Sequence, residues 1–160
     1  MSPGAALRLA AAQREALARA AEAAYPQEFC ALLIGRDREA IREVTRLVFA
    51  ANRDPDPARG FELDPAVLIR ELRALREAER RGGGAGERLL GHVHSHPDAA
   101  PVPSERDRLQ AHEPGQVWLI VPVTQGTAGP PRAFLALHDG TGDARFEPIP
   151  LIGAAGQETA

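Results

Sequence analysis

The stretch GHVHSHPDAAPVPSERD, residues 91–107, places three of the chain's five histidines within five residues. Side chains of a strand alternate between its two faces, so His92, His94 and His96 should share one face of a strand that runs through LLGHVHSH. A proline-containing loop follows, and Ser104 is suited to begin a short helix as its N-cap. The stretch therefore predicts a strand, a stiff loop and a helix that returns toward the end of the strand.

The spacing of these histidines suits a metal ion. Neighbouring members of the row lie ~6.6 Å apart along a strand, and two imidazoles at that spacing can converge on one zinc ion through bonds of ~2.0–2.1 Å. His92 and His96 are ~13 Å apart on the same estimate, which favours His94 and His96 as the pair. A hydrolytic zinc site also needs a third protein ligand, and Asp107 could supply it. Ser104 and Asp107 also resemble a capping box, so a purely structural reading of these two residues stays open.

Other apolar runs extend this unit into a domain. Before it, ALRL predicts a short strand, residues 11–24 predict a helix that Pro26 ends, and FCALLIG predicts a buried strand closed by Gly35. RDRE is typical of a turn into the strand AIREVTRLVFA, and the Asp-Pro pair at 64–65 predicts the start of a helix to about Arg81. After it, QVWLIVPVT and RAFLALHD predict strands, and ARFEPIPL predicts a final edge strand because prolines sit best at sheet edges.

The order β, α, β, β, α, β, α, β, β, β determines the predicted fold class. It indicates a single domain of the α+β or mixed α/β class, in which a mixed β-sheet is flanked by helices. We assign residues 1–152 to that domain and residues 153–160 to a flexible C-terminal tail.

Composition and charge argue against several classes of function. A net charge of −3 and an isoelectric point near 6.0 lack the basic footprint of a nucleic-acid-binding protein. The N-terminal segment is interrupted by charges and no apolar run is long enough to span a bilayer, so we expect a cytoplasmic protein without a membrane partner. Cys30 is the only cysteine, which excludes an internal disulfide and an all-cysteine metal site.

The sequence also resembles a known family. HSHPDAAPVPSERD matches the pattern His-x-His, seven residues, Ser-x-x-Asp of the JAMM (MPN-plus) zinc metalloproteases, and YPQEFCALLIG resembles the upstream block of that family. FELDP before a helix and WLIVPV after the motif resemble the short prokaryotic members, which include sulfur-carrier-protein peptidases. The resemblance covers roughly residues 7–150 and implies the JAMM/MPN fold, which is cytidine-deaminase-like.

The resemblance implies a role for each residue of the catalytic set. The metal ligands, which would bind Zn²⁺, are His94, His96 and Asp107. Glu28 would be the general acid/base for the attacking water, although its local sequence alone is typical of an exposed turn. Ser104 would hydrogen-bond in the site and help to stabilise the oxyanion. Because all five residues are present, the resemblance implies an enzyme rather than a degenerate scaffold.

Two residues depart from the pattern of the family. Ala31 replaces the usual glycine after Cys30, which could tighten local packing. His92 stands where a bulky apolar or aromatic residue is usual. We expect His92 to line the wall of the site rather than to replace Asp107 as the third ligand.

The resemblance implies a zinc peptidase or isopeptidase that hydrolyses the amide bond after the C-terminal Gly-Gly tail of a ubiquitin-like protein. For a short prokaryotic member, the expected substrate is a ubiquitin-like sulfur-carrier protein or its conjugate. Two alternatives stay open: a metallohydrolase of the same fold that acts on an unrelated peptide or small-molecule amide, and a non-catalytic binding module stabilised by zinc. Leu and Val residues on the helices could form a homodimer face as well as a core.

Overall fold

The histidine-bearing strand lies in the middle of a mixed β-sheet in the computed structural model, which describes residues 6–138, 140 and 142–153. In this part of the chain the elements are, in order, β1 (Ala6–Arg8), α1 (Ala11–Ala24), β2 (Cys30–Arg38), β3 (Ile41–Ala50), α2 (Pro65–Arg80), β4 (Arg88–Pro97), α3 (Glu105–Gln110), β5 (Val117–Thr124), β6 (Thr127–Ala128), β7 (Arg132–His138), β8 (Ala144–Ile149) and β9 (Leu151–Ile152). The predicted mixed α+β class is confirmed. The short strand β6 was not predicted, and the last predicted strand is divided in two.

The order of the strands brings the start of β2 beside the end of β4. Across the sheet the order is β8-β7-β5-β4-β2-β3-β1-β9, and β6 pairs with β5. β4 is antiparallel to β2 and parallel to β5, in a register that pairs His94 with Cys30 on one side and with Ile120 on the other. Because β2 begins at Cys30, which pairs with His94, Glu28 lies just outside the sheet and close to the histidine row.

The predicted final edge strand does lie at an edge of the sheet, as β8, but its last residues form a separate strand. β8 pairs with β7 at one edge of the sheet, whereas β9 pairs in parallel with β1 at the other edge. Only Pro150 separates the two strands, and its carbonyl oxygen accepts a hydrogen bond of 2.9 Å from the N–H of Leu7. Proline cannot donate a ladder hydrogen bond, which suits it to the point where the chain changes partners.

The prediction that Gly35 closes β2 was wrong. The strand continues to Arg38, with a shift in its pairing to β3 between Ile34 and Gly35. A Cβ atom at Gly35 would lie 1.9 Å from the carbonyl oxygen of Glu43, so the glycine permits a close approach of two backbones rather than a turn. The turn comes later, at Glu39, whose φ of 55° lies in the left-handed region.

Alternation along the strands separates two apolar clusters, one on each face of the sheet. The first contains Leu17 and Ala21 of α1 together with strand residues such as Val93 and Leu119. The second contains Phe61, Trp118, Ile120 and Phe134. The three histidines of β4 alternate with Val93, so they lie on the face of the second cluster.

The helices cover the sheet unequally. Helix α1 buries Leu17 and Ala21, whereas α2 contains no fully buried residue and leaves Ile69 and Leu72 exposed. None of the helices within the described residues is long and apolar enough to cross a membrane. The predicted tail, 153–160, lies outside the described residues except for Gly153, which is buried, so the division of the chain at residue 152 stays a prediction.

Candidate active site

Three buried side chains converge at the end of β4. The Nε2 atoms of His94 and His96 lie 3.0 Å apart. The carboxylate of Asp107 lies 3.3 Å from Nε2 of His94 and 3.1 Å from Nε2 of His96. The side chains are 0–7% exposed, so this group is shielded from solvent. The structure therefore brings together the three residues that the sequence suggested as metal ligands.

The loop after β4 fixes the ring of His96. Its Nδ1 atom lies 2.9 Å from the carbonyl oxygen of Ala100. A carbonyl oxygen can only accept, so this contact holds a proton on Nδ1, and Nε2 would give up the proton that it donates to Asp107 when it binds a metal. Asp98 anchors the same loop, because its carboxylate accepts a hydrogen bond of 2.6 Å from the hydroxyl of Tyr25.

Glu28 joins the histidine pair from the segment that precedes β2. Glu28, His94 and His96 each offer a candidate ligand atom within 4.8 Å of the other two. Glu28 is 6% exposed, and its Oε1 atom has no hydrogen-bond partner among the described residues. Burial raises the pKa of Glu28 to about 7, against the opposing effect of His96, and Asp107 adds to the rise. A carboxyl group with this pKa can both accept and release a proton near neutral pH.

The charges of the other three residues are set by burial and by their mutual contacts. Burial lowers the pKa of His94, which favours the neutral imidazole that binds a metal. Burial also opposes the charged form of His96, but hydrogen bonds to Asp107 and Ala100 raise its pKa above the ordinary value. Burial alone would raise the pKa of Asp107, yet its hydrogen bonds with the two histidines hold it far below its usual range. Asp107 is therefore ionised at neutral pH.

Ser104 is the N-cap of α3, and the capping box suggested by the sequence is present. The hydroxyl oxygen of Ser104 accepts a hydrogen bond of 3.0 Å from the N–H of Asp107, while Oδ2 of Asp107 accepts one of 2.8 Å from the N–H of Ser104. A carboxylate has about four lone-pair sites, so Asp107 can cap the helix and face the histidines at once. The hydroxyl proton of Ser104 has no acceptor among the described residues, which leaves it able to donate.

Aromatic rings surround the buried side of the histidine row. The ring of Phe61 stacks on His94 with centroids 4.3 Å apart, and the ring of His92 meets Trp118 edge-to-face at 4.2 Å. His92 is 9% exposed and does not belong to the cluster of candidate ligand atoms. It therefore lies in the wall of the site, whereas Phe61 was not singled out from the sequence.

Asn52 holds the polypeptide around Glu28 and was not recognised from the sequence. Its Nδ2 donates hydrogen bonds to the carbonyl oxygens of Glu28 (2.9 Å) and Gly60 (3.0 Å). Its Oδ1 accepts hydrogen bonds of 3.0 Å from the N–H groups of Asp54 and Glu62. Asn and Asp residues that bond backbone two positions on are typical of tight loops, and NRDPD carries that signal.

A second set of contacts joins this loop to α3. The N–H of Glu28 donates a hydrogen bond of 2.7 Å to the carbonyl oxygen of Pro57. The buried carboxylate of Asp54 forms an ion pair with Arg106, the residue before Asp107. The loop thus contacts both Glu28, two residues before β2, and the helix that carries Asp107.

These residues fit a divalent metal ion. Two imidazole nitrogens and two carboxylates form a nitrogen and oxygen donor set of the kind that zinc accepts in catalytic sites. The paired Nε2 atoms and the unpartnered Oε1 of Glu28 are buried polar atoms that a bound cation would satisfy.

The chain is similar to known proteins over most of its length. Residues 10–136 match the model of a family described as prokaryotic homologs of the JAB domain. The chain is 36% identical over 118 residues to a desampylase of Haloferax volcanii, covering 74% of this chain and 73% of that protein. It is 37% identical over 110 residues to a "probable TtuB-protein conjugate cleaving protease" of Thermus thermophilus, covering 69% of this chain and 62% of that protein.

A solved structure agrees with the fold. The crystal structure of a Jab1/MPN domain protein from Archaeoglobus fulgidus superposes with a TM-score of 0.50 at 18% identity, covering 95% of this chain and 99% of that one. That likeness concerns the fold alone, while the family match extends over the strand, loop and helix that carry the motif. The chain therefore belongs to the family of prokaryotic JAB-domain proteins, as the resemblance to the JAMM metalloproteases implied.

Proposed function

We propose that this JAB-type hydrolase is a zinc-dependent peptidase or isopeptidase. Its substrate would be a ubiquitin-like sulfur-carrier protein or its conjugate, cleaved at the amide bond after the C-terminal Gly-Gly. The observation that carries the proposal is the buried cluster of Glu28, His94, His96 and Asp107 in a chain of this family. The two curated relatives, a desampylase and a conjugate-cleaving protease, support the class of substrate.

His94, His96 and Asp107 would hold the zinc ion. The distances favour Asp107 as the third ligand, because its carboxylate lies within 3.3 Å of both Nε2 atoms. Bound zinc lowers the pKa of a water molecule and polarises a carbonyl group. Glu28 is then left for proton transfer, since its raised pKa of about 7 suits that task.

The chain's own residues would move the proton and steady the developing charge. Glu28 would accept the proton that water loses as its oxygen bonds to the carbonyl carbon of the substrate. The same carboxyl would deliver that proton to the amide nitrogen as the carbon–nitrogen bond breaks, so the amine leaves neutral. The hydroxyl of Ser104 would donate a hydrogen bond to the negative oxygen, and the rings of Phe61 and Trp118 would limit access of water to the buried side.

Mass spectrometry of a cleavage reaction tests the proposal. The zinc-loaded protein is mixed with a ubiquitin-like sulfur carrier extended past its Gly-Gly end. We expect cleavage after Gly-Gly that a chelator abolishes and that Glu28→Gln slows by about 10²–10⁴-fold, with one zinc retained per chain. Glu15→Gln is the matched control, because Glu15 is exposed on α1 and should leave both cleavage and metal content unchanged.

Other outcomes would identify what is wrong. Cleavage of short peptides that lack the carrier body would favour an unrelated amide substrate, and full function of Glu28→Gln in cells would favour a non-catalytic module. Loss of metal from His94→Ala but not from Asp107→Ala would contradict the ligand set. Metal analysis of the protein as isolated would test zinc against other divalent ions. A cytoplasmic location and a homodimer stay predictions.

A further inference from the structure

A cavity of about 540 Å³ opens beside the metal cluster. Two residues that line the cavity contact His94 of that cluster. The ring of Phe61 stacks on the ring of His94, and the ring centroid of His92 lies 5.5 Å from that of His94. The cavity therefore begins one ring away from a proposed zinc ligand, within reach of a substrate bound there. Phe61 and Trp118 would limit access of water to the histidines, but the space beside their rings has no ligand in the proposed reaction.

The inner surface of the cavity is aromatic. Phe61, His92 and Trp118 all line it, and each is less than 10% exposed. The ring of Trp118 is nearly perpendicular to its neighbours, at 72° to Phe61 and 75° to His92. Aromatic rings offer apolar surface for an alkyl stem and attract an organic cation.

The rim of the cavity is acidic. Glu62 and Glu113 line it, both are exposed, and neither carboxylate has an ion-pair or hydrogen-bond partner among the described residues. No arginine lines the cavity, and His112 is the remaining ionisable residue at its rim. Most carboxylates elsewhere are paired, as with Glu43, Glu71 and Glu77. The two free carboxylates make the mouth of an aromatic cavity attractive to a positive charge.

We propose that this cavity binds a basic side chain, lysine or arginine, that lies close to the scissile bond of the substrate. The alkyl stem would pack on Phe61, His92 and Trp118, and the cationic group would face Glu62 and Glu113. This inference rests on the proposed function and deepens it, since it adds a preference for sequence around the cleaved bond. The basic residue can come from the carrier's tail or from the released group, and the experiment separates these sources.

The first measurement is binding, which does not depend on catalysis. Trp118 is the only tryptophan of the chain, so its fluorescence reports directly on the cavity. Short peptides containing Gly-Gly are titrated into the Glu28→Gln variant, with lysine placed in turn at each position within three residues before or after Gly-Gly. Norleucine, which has an alkyl stem without the charge, replaces lysine in the matched series. We expect one lysine position to bind about tenfold more tightly than its norleucine counterpart.

Charge-neutral variants then locate the effect. Glu62→Gln/Glu113→Gln should reduce the lysine preference to less than about twofold, whereas the control pair Glu15→Gln/Glu39→Gln, also exposed and unpaired, should retain it. The proposal is overturned if every lysine and norleucine peptide binds equally, or if the preference survives in Glu62→Gln/Glu113→Gln. Carrier cleavage without any lysine preference would refute the cavity assignment alone, whereas absence of cleavage by the zinc-loaded protein would refute the proposed function.

Discussion

Asn52 offers a direct test of how Glu28 is held. Asn52→Ala removes all four hydrogen bonds of this half-buried side chain, two to carbonyl oxygens and two from N–H groups. Four bonds at a net contribution of roughly 0.5–1.5 kcal/mol each give a decrease of about 2–6 kcal/mol in the free energy of unfolding, with the lower end expected where water replaces the lost partner. For a domain of this size each kcal/mol lowers Tm by about 2–4 °C.

Asn52→Asp is the matched variant because it changes one atom of the same shape. It keeps the oxygen that accepts from Asp54 and Glu62 but places a second oxygen against the carbonyl groups of Glu28 and Gly60. We expect it to be at least as destabilising as Asn52→Ala, since facing oxygens repel. Both variants should keep one metal ion per chain while kcat falls by at least about tenfold, because small displacements of a catalytic group are costly.

Urea denaturation measures the free energy, and cleavage at a temperature where every variant is fully folded measures kcat. The reasoning is refuted if Asn52→Ala costs less than about 1 kcal/mol, or if Asn52→Asp is as stable as the original protein. Unchanged kcat in a destabilised variant would show that the loop supports the fold without positioning Glu28.

Three further predictions concern other parts of the molecule. Gly91→Ala would place a Cβ atom 2.0 Å from the carbonyl oxygen of Val117, so it should lower the free energy of unfolding by at least about 3 kcal/mol in urea denaturation. The control is Gly83→Ala, whose Cβ atom would meet no atom within 4 Å and which should change that free energy by less than about 0.5 kcal/mol. His92→Leu should leave one metal ion per chain by elemental analysis, and loss of the metal would show that His92 is a ligand. Burial raises the pKa of Cys30 to about 12, so its thiol stays protonated below that pH. The rate at which a disulfide reagent modifies the folded protein should therefore not rise near pH 8.5, whereas the protein unfolded in urea should react rapidly.

The metal cluster could be anticipated because its determinants are local. Alternation along β4 places His94 and His96 on one face, and a capping serine three residues before Asp107 begins the helix that returns it. Glu28 has no such local signal: its burial depends on the pairing of β2 with β4 and on a loop more than twenty residues away. Only the resemblance to a family pointed to it.

Both errors in the predicted fold arise because long-range contacts decide the outcome. Gly35 has the same sequence signature whether it ends a strand or lets another backbone approach, and only the position of Glu43 decides between the two. Pro150 marks an interruption in the last apolar run, but nothing nearby in the sequence indicates that β9 leaves its neighbour to pair with β1. Local patterns specify elements well and specify their partners poorly.

The parallel pairing of Leu7 with Leu151 has a consequence for biosynthesis. On a ribosome the chain emerges from its N-terminus, so β1 can pair with β3 long before β9 exists. Until β9 is made, the outer side of β1 presents unpaired N–H and C=O groups to the surroundings. A nascent chain stalled before residue 151 would therefore carry β1 as an open strand edge that can recruit a neighbouring nascent chain. Completion of β9 covers β1 and leaves only the two-residue edge of β9 at that end of the sheet.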